Sequence, residues 1–203
     1  MCVRAFMKKI LLLPLACFLF LFIYSFKQSV PYKDGDIIFQ TIKSETGLAI
    51  QLATHSKFNH CGMLFFENNE WVVYEAVQPV SKISLSDFNS RGAGTVMRLA
   101  NTTLTAADVG KLKAVFKGFE NKNYDLAFNW SDDRLYCSEL VYKLYSKGLN
   151  IELCKLRKLS DFDLSNPLVK QKLKEKYNGN IPLNEPMVSP QDIFSSALLT
   201  PVK

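Results

Sequence analysis

Beyond its first 28 residues the chain predicts one α+β domain built on an antiparallel sheet, and three observations carry that expectation. Two apolar runs, His60 to Phe66 and Trp71 to Val77, flank a polar Glu67-Asn68-Asn69-Glu70 stretch, the pattern of a β-hairpin. Apolar residues recur at helical spacing after Thr105 (Val109, Leu112, Val115, Phe116, Phe119) and after Cys137 (Leu140, Val141, Leu144, Tyr145). The chain has 203 residues, which after the leader leaves room for one domain with a sizeable core.

The elements follow in order. Asp34-Gly35 signals a turn, and Asp36 to Gln40 reads as a strand. Ser44 is placed to cap a short helix that runs to Thr54. The hairpin comes next, with Glu67 to Glu70 as a four-residue turn. Leu85 to Phe88 reads as a turn, Arg91-Gly92-Ala93-Gly94 as a loop, and Thr95 to Leu99 as a strand. The helix capped by Thr105 is followed by an irregular aromatic stretch from Asn121 to Asp133. Cys137 to Lys147 is the next helix, with Gly148 as its stop. Asp161 to Lys176 is polar with helical character, and Ser189-Pro190 opens a last short helix through Ser195.

The first 28 residues read as a signal anchor or signal peptide, leaving 29–203 as the domain. Arg4, Lys8 and Lys9 precede an apolar run from Ile10 to Phe26. Its 17 residues would span roughly 26 Å as a helix. No small-x-small cleavage site follows it, which favours an uncleaved anchor. Leu15-Ala16-Cys17 is a poor lipidation signal, because Pro14 precedes it and the apolar run continues beyond it. Positive charge before the run keeps that end cytoplasmic and sends the domain outward. The expected location is the bacterial cell envelope, either anchored in the inner membrane through residues 10–26 or exported to the periplasm.

A net charge of +6 suits an anionic surface such as lipid headgroups or cell-wall polymer. No basic run with interleaved aromatics is present, so nucleic acid is not an expected partner. Of five cysteines, Cys2 and Cys17 belong to the leader. Cys61, Cys137 and Cys154 remain, an odd set without disulfide or metal-ligand spacing. Cys61 and Cys154 read as small buried hydrophobes. His55, His60 and Cys61 match no familiar zinc pattern, and no metal or other cofactor is expected.

The chemistry concentrates in three residues. Cys137 opens a helix, where the helix N-terminus and a nearby imidazolium lower a thiol's pKa. The hairpin supplies the imidazole. If Phe66 faces Trp71 across the turn, His60 faces Val77, and alternation then puts Glu75 on the face of His60 as a diagonal neighbour. Cys137 is the candidate nucleophile, His60 the general base and acid, and Glu75 the residue that orients His60. A packed cysteine and a structural histidine are the plainer readings of the first two. A carboxylate inside an apolar strand is harder to dismiss, because leaving it unpaired is costly.

Five segments appear in a recognisable order: Asp34-Gly35-Asp36-Ile37-Ile38-Phe39, Asn59-His60-Cys61-Gly62-Met63, Tyr74-Glu75-Ala76-Val77-Gln78-Pro79-Val80, Tyr124-Asp125, and Trp130 through Val141 around Cys137. Together they resemble the YiiX/YaeF-type permuted branch of the NlpC papain-like hydrolases, from about Asp34 to Phe194. The resemblance implies a circularly permuted papain-like fold, with histidine and acid before the cysteine helix. It matches Cys137 to the nucleophile, His60 to the base and Glu75 to the orienting residue. Asn59 departs from the serine common before the histidine.

The expected function is therefore a cysteine-dependent amidase or peptidase. It would cleave an amide in cell-wall peptide or in an N-acylated, lipid-like substrate. A lipid acyl hydrolase or acyltransferase using the same triad is the alternative enzyme, and a catalytically silent envelope-binding domain the non-enzymatic one. Phe128, Trp130, Tyr136 and Trp71 are aromatics that would suit an apolar group at the site. A closed apolar tunnel would favour lipid, an open polar groove peptide.

Overall fold

The computed structural model describes residues 32–202, so the proposed anchor at 10–26 lies outside the described residues. Six strands form one antiparallel sheet in the order β10-β5-β1-β2-β3-β4. They are β1 (Ile37–Gln40), β2 (His60–Glu67), β3 (Glu70–Glu75), β4 (Ser81–Ser84), β5 (Thr95–Leu99) and β10 (Leu199–Pro201). Two further pairs are short: β6 (Asn123–Tyr124) runs parallel to β7 (Arg134–Leu135), and β8 (Arg157–Lys158) antiparallel to β9 (Pro186–Met187). The helices are α1 (Glu45–Thr54), α2 (Leu85–Ser90), α3 (Ala106–Phe119), α4 (Cys137–Leu149), α5 (Pro167–Tyr177) and α6 (Pro190–Phe194).

Alternation along the strands sorts side chains between two faces. Ile37, Phe39, Cys61, Met63, Phe65 and Tyr74 are buried in one core with Leu112 and Phe116 of α3 and Leu140, Val141 and Leu144 of α4. Ile38, Leu64, Val73 and Val96 form the opposite cluster, with Phe88 of α2 as its cover. Nine of the thirteen residues of α4 are buried, from Cys137 to Tyr145. The helix that Cys137 opens is thus the central helix of the domain.

The hairpin pairs Phe66 with Trp71 and Met63 with Tyr74, the register read from the sequence. Its turn is tighter than expected. Glu67 pairs with Glu70, and only Asn68 and Asn69 turn, at φ 49° and 67°. Two successive left-handed residues match the right-handed twist of the flanking strands, and asparagine tolerates that backbone well. Strand β3 ends at Glu75, two residues before the expected Val77.

Other boundaries move for local reasons. Leu85 to Ser90 is a helix rather than a turn, because the Ser84 side chain accepts from the Asp87 N–H and caps it. Gly148 does not stop α4. The helix continues to Leu149, and Asn150 caps it at φ 55°. Between Asp161 and Lys176 the helix starts only at Pro167, capped by Asn166. Strands β4 and β10 had no sequence expectation. Ser81–Ser84 lacks apolar alternation, and β10 contains a proline, which an edge strand tolerates.

Candidate active site

The site forms where β1, β2 and β3 end on one side of the sheet and α4 begins on the other. His60 opens β2 and is directly paired with Gln40. Glu75 closes β3 opposite Gly62, and the neighbouring diagonal brings its carboxylate to His60. His60 Nε2 lies 2.6 Å from Glu75 Oε2, with both side chains buried. That contact leaves the ring's Nδ1 for another partner, and Cys137 at the start of α4 is the group that does most to raise the His60 pKa. The Cys137 sulfur also lies 4.0 Å from the Asn59 carbonyl oxygen. The structure therefore brings Cys137, His60 and Glu75 together.

Gly62 allows Glu75 to approach. A Cβ at position 62 would come within 2.5 Å of Val73 Cγ1 and 2.9 Å of the Tyr74 carbonyl. Both belong to the two residues before Glu75, so a side chain here pushes directly on the strand that carries the carboxylate.

Arg91 is a member of the site for which sequence reasoning gave no signal, because it sits in what reads as a glycine-rich loop. Its Nη2 lies 2.8 Å from Glu75 Oε1 and 2.7 Å from Oε2. Two further contacts fix this segment. The Gln40 amide donates to the Phe88 carbonyl at 2.6 Å and to that of Gly92, and the Phe88 ring stacks on His60 at 5.7 Å between centroids. Asn59, singled out in the sequence, bonds the backbone of Ile42 twice: Nδ2 donates to the carbonyl at 2.9 Å, and Oδ1 accepts the N–H at 2.8 Å. That anchors the residue whose carbonyl touches Cys137.

Electrostatics follow from these contacts. Burial opposes a charge on His60 most strongly, yet the bonds to Cys137 and then Glu75 outweigh it, and the pKa rises from 6.5 to about 9. The Cys137 thiol is held well below the usual thiol range. A hydrogen bond from Cys61 contributes most, burial opposes it, and His60 adds to the lowering. Burial pushes the Glu75 carboxyl up, but His60 and then Arg91 bring it below 4.5 overall. These directions favour thiolate, imidazolium and carboxylate, with Arg91 beside the last.

The start of α4 is held from its own polar side. Glu139, fully buried, accepts from the Tyr136 and Ser131 N–H groups at 3.3 and 3.2 Å and pairs with Lys143 at 2.7 Å. Ser138 Oγ donates to the Val188 carbonyl at 2.8 Å, and the Val188 N–H donates to Tyr136 Oη at 3.2 Å.

Cys137 opens onto a cavity of about 480 Å³ between α1, α5 and the 187–190 segment. Its lining is mainly apolar, including Ala49, Ile50, Phe128, Leu159, Val169 and Leu173, with Lys172 and Lys176 also present. Phe128 and Tyr136 are cavity residues, packed edge to face at 5.2 Å. Trp130 instead packs on Tyr142 at 5.6 Å. Trp71 does not belong to the site. It begins β3, four residues and about 13 Å of strand from Glu75, and packs on Tyr32 and Phe66. His55 faces solvent and pairs with Asp163 at 3.1 Å.

A model of the permuted papain-like amidases, the YaeF/YiiX or C92 family, matches residues 31–203. The chain belongs to this family. It is accordingly a thiol hydrolase of the papain-like amidase and peptidase kind. The family's YiiX from Escherichia coli K12, itself uncharacterized, is 45% identical over 170 residues, covering 83% of this chain and 84% of YiiX. A crystal structure of YiiX from Escherichia coli O157:H7, described there as a metalloprotein, superposes with a TM-score of 0.81 at 45% identity. It covers 84% of this chain and 96% of that one. Among the described residues no group of three or more His, Cys, Asp or Glu side chains is disposed to hold a metal ion, and Glu75 is already engaged by His60 and Arg91. These residues do not fit a metal centre.

Proposed function

We propose that the chain is a membrane-tethered amidase that cleaves an amide beside an apolar acyl or side-chain group through Cys137, His60 and Glu75. One observation carries the reading: the Cys137 sulfur meets the His60–Glu75 pair on one side and a largely apolar cavity on the other. The thiolate attacks the amide carbonyl, forming a C–S bond and a tetrahedral oxyanion. The first-turn N–H groups of α4, Cys137's own among them, have no intrahelical acceptor and are suited to receive that oxyanion. His60 gives its proton to the leaving nitrogen as the C–N bond breaks, leaving a thioester. It then takes a proton from water, the water adds to the thioester, and the acid departs, restoring thiolate and imidazolium.

Glu75 holds Nε2–H of His60, so the ring keeps Nδ1 towards the sulfur. Residues 10–26 tether the domain outside the cytoplasm, within reach of cell-wall peptide and envelope lipid. The apolar lining also favours a second reading, a lipid acyl hydrolase or acyltransferase using the same groups. Both are tested by incubating the full chain with N-acyl anilides, acyl esters and cell-wall peptides, and reading Cys137 by mass spectrometry. An acyl adduct on Cys137, absent from Cys137→Ala, is expected. The class of probe that leaves it separates the two readings. Hydrolysis that persists in Cys137→Ala contradicts both.

A further inference from the structure

Lys176, near the end of α5, lines the cavity onto which Cys137 opens and is half-buried there. Among the described residues no carboxylate lies within ion-pair distance of its ammonium. Its neighbours are differently placed. Lys172, on the same helix and the same cavity, pairs with Glu45 at 2.8 Å and Glu175 at 3.2 Å. Lys143 pairs with Glu139 and Asp132. What Lys176 does touch is a ring: its Nζ lies 3.6 Å from the centroid of Phe128, which also lines the cavity. Phe128 stands at φ 51°, in the left-handed region that a bulky side chain seldom adopts. Asp125 holds it there, accepting the N–H groups of Ala127 and Asn129, on either side of it, at 2.7 Å each. The Ala127 carbonyl accepts from Tyr177 Oη, which ties this loop to the end of α5. Strained backbone persists where its surroundings fix it, and it clusters at ligand clamps. Here it sets an aromatic face against an ammonium in the cavity wall.

An ammonium drawn partly out of water without an anion is costly, and a ring face offsets only part of that cost. Burial accordingly brings Lys176 down to about 8, which still leaves it charged at neutral pH. The other charges in the cavity wall, Lys172 and Glu175, are paired with each other. Asp125 is occupied by its two N–H donors. A ligand in the cavity therefore meets apolar side chains such as Ile50, Val169 and Leu173 and one uncompensated positive charge. Pockets of this composition use their few polar groups to select and orient what they bind. One ammonium balances one negative charge, which is the charge of a carboxylate, whereas a phosphate monoester carries closer to two.

We propose that Lys176 is a specificity-determining residue, and that the substrate is an amide with an apolar chain and a carboxylate that pairs with Lys176 in the cavity. This rests on reading that cavity as the substrate site of Cys137. Binding is measured by calorimetry at neutral pH on full-length Cys137→Ala, which holds the probes without turnover, in nanodiscs of neutral phospholipid. Two matched pairs of probes are used. N-octanoylglycine and its methyl ester differ in charge on the amine side, and the monoanilide of sebacic acid and its methyl ester differ at the far end of the acyl chain. In at least one pair the acid is expected to bind about tenfold tighter than the ester. Adding Lys176→Met is expected to abolish that preference, and adding Lys176→Arg to keep it. If Lys176→Met does not fold, Lys176→Gln removes the same charge and is read in the same way. Equal binding of acid and ester in both pairs overturns the proposal, as does a preference that survives in a folded variant without the charge. The amidase reading fails separately. An acid preference that depends on Lys176, with no acyl adduct ever formed on wild-type Cys137, supports the carboxylate site and contradicts the amidase.

Discussion

Arg91 grips both oxygens of Glu75 through a single nitrogen, at 2.8 and 2.7 Å, and shares Oε2 with His60. Glu75 is fully buried, so Arg91 and His60 are what make its negative charge tolerable. Replacing Arg91 by Met leaves the carboxylate with His60 alone and lets its pKa rise. We expect turnover to fall about tenfold, with the acid side of the pH–rate profile displaced upwards. Steady-state rates of Arg91→Met across pH check this, and Arg91→Lys should recover part of the loss.

The pH dependence has a definite upper edge. On the proposed mechanism, turnover needs Cys137 deprotonated and His60 protonated. It therefore rises as pH passes the lowered thiol pKa and falls near pH 9, where His60 loses its proton. A kcat/KM profile is expected to show a plateau through neutrality and a descending limb at about 9.

Stability carries the same signature. The folded state holds the His60 proton more tightly than the unfolded chain does, since its pKa is raised from 6.5. The contribution is complete below about 6.5 and is lost as pH climbs through about 9. The difference in Tm between wild type and His60→Ala should therefore be largest in acid to neutral buffer and shrink in alkaline buffer. Thermal melts at several pH values decide it.

Lys143 is expected to matter for folding rather than chemistry. Its ammonium, 5% exposed, neutralises Glu139 at 2.7 Å and reaches Asp132 at 2.9 Å. Removing it strands a buried carboxylate whose pKa, raised chiefly by burial, is already about 7. Lys143→Met should cost about 3–5 kcal/mol in denaturant unfolding. Replacing both partners with apolar residues should restore part of that stability.

Gly62→Ala probes the fit between β2 and β3. The added methyl meets Val73 and the Tyr74 backbone below ordinary contact distance, and a backbone oxygen cannot rotate away. A loss of about 1–3 kcal/mol and a marked drop in turnover are expected, because the displaced strand carries Glu75. Urea unfolding and rate assays on the same sample separate the two effects.

The hairpin register was legible because two sharp features bound it: a polar turn with strong turn formers, and strands whose side chains alternate. Phe66 opposite Trp71 followed directly, and with it the shared face of His60 and Glu75. The start of α4 was legible from the spacing of Leu140, Val141 and Leu144 behind Cys137. Arg91 was not, since an arginine in a glycine-rich loop reads as solvent-facing until α2 and the Gln40 amide fix where it points. Cys61 read as a small buried hydrophobe, and it lies fully buried in the core. Trp71 was counted with the aromatics of the site although the same register puts it beside the turn, far from Glu75. The apolar cavity depends on α5, whose polar sequence conceals that Val169 and Leu173 face inward over Cys137.

The central claim is a thiolate–imidazolium pair between Cys137 and His60. It is tested most directly by the pH dependence of Cys137 alkylation by iodoacetamide in wild type and in His60→Ala. The account predicts a reactive thiol at neutral pH in wild type, and a midpoint that moves up towards the ordinary thiol range when His60 is removed. A thiol with an ordinary midpoint, or one indifferent to His60, would contradict it.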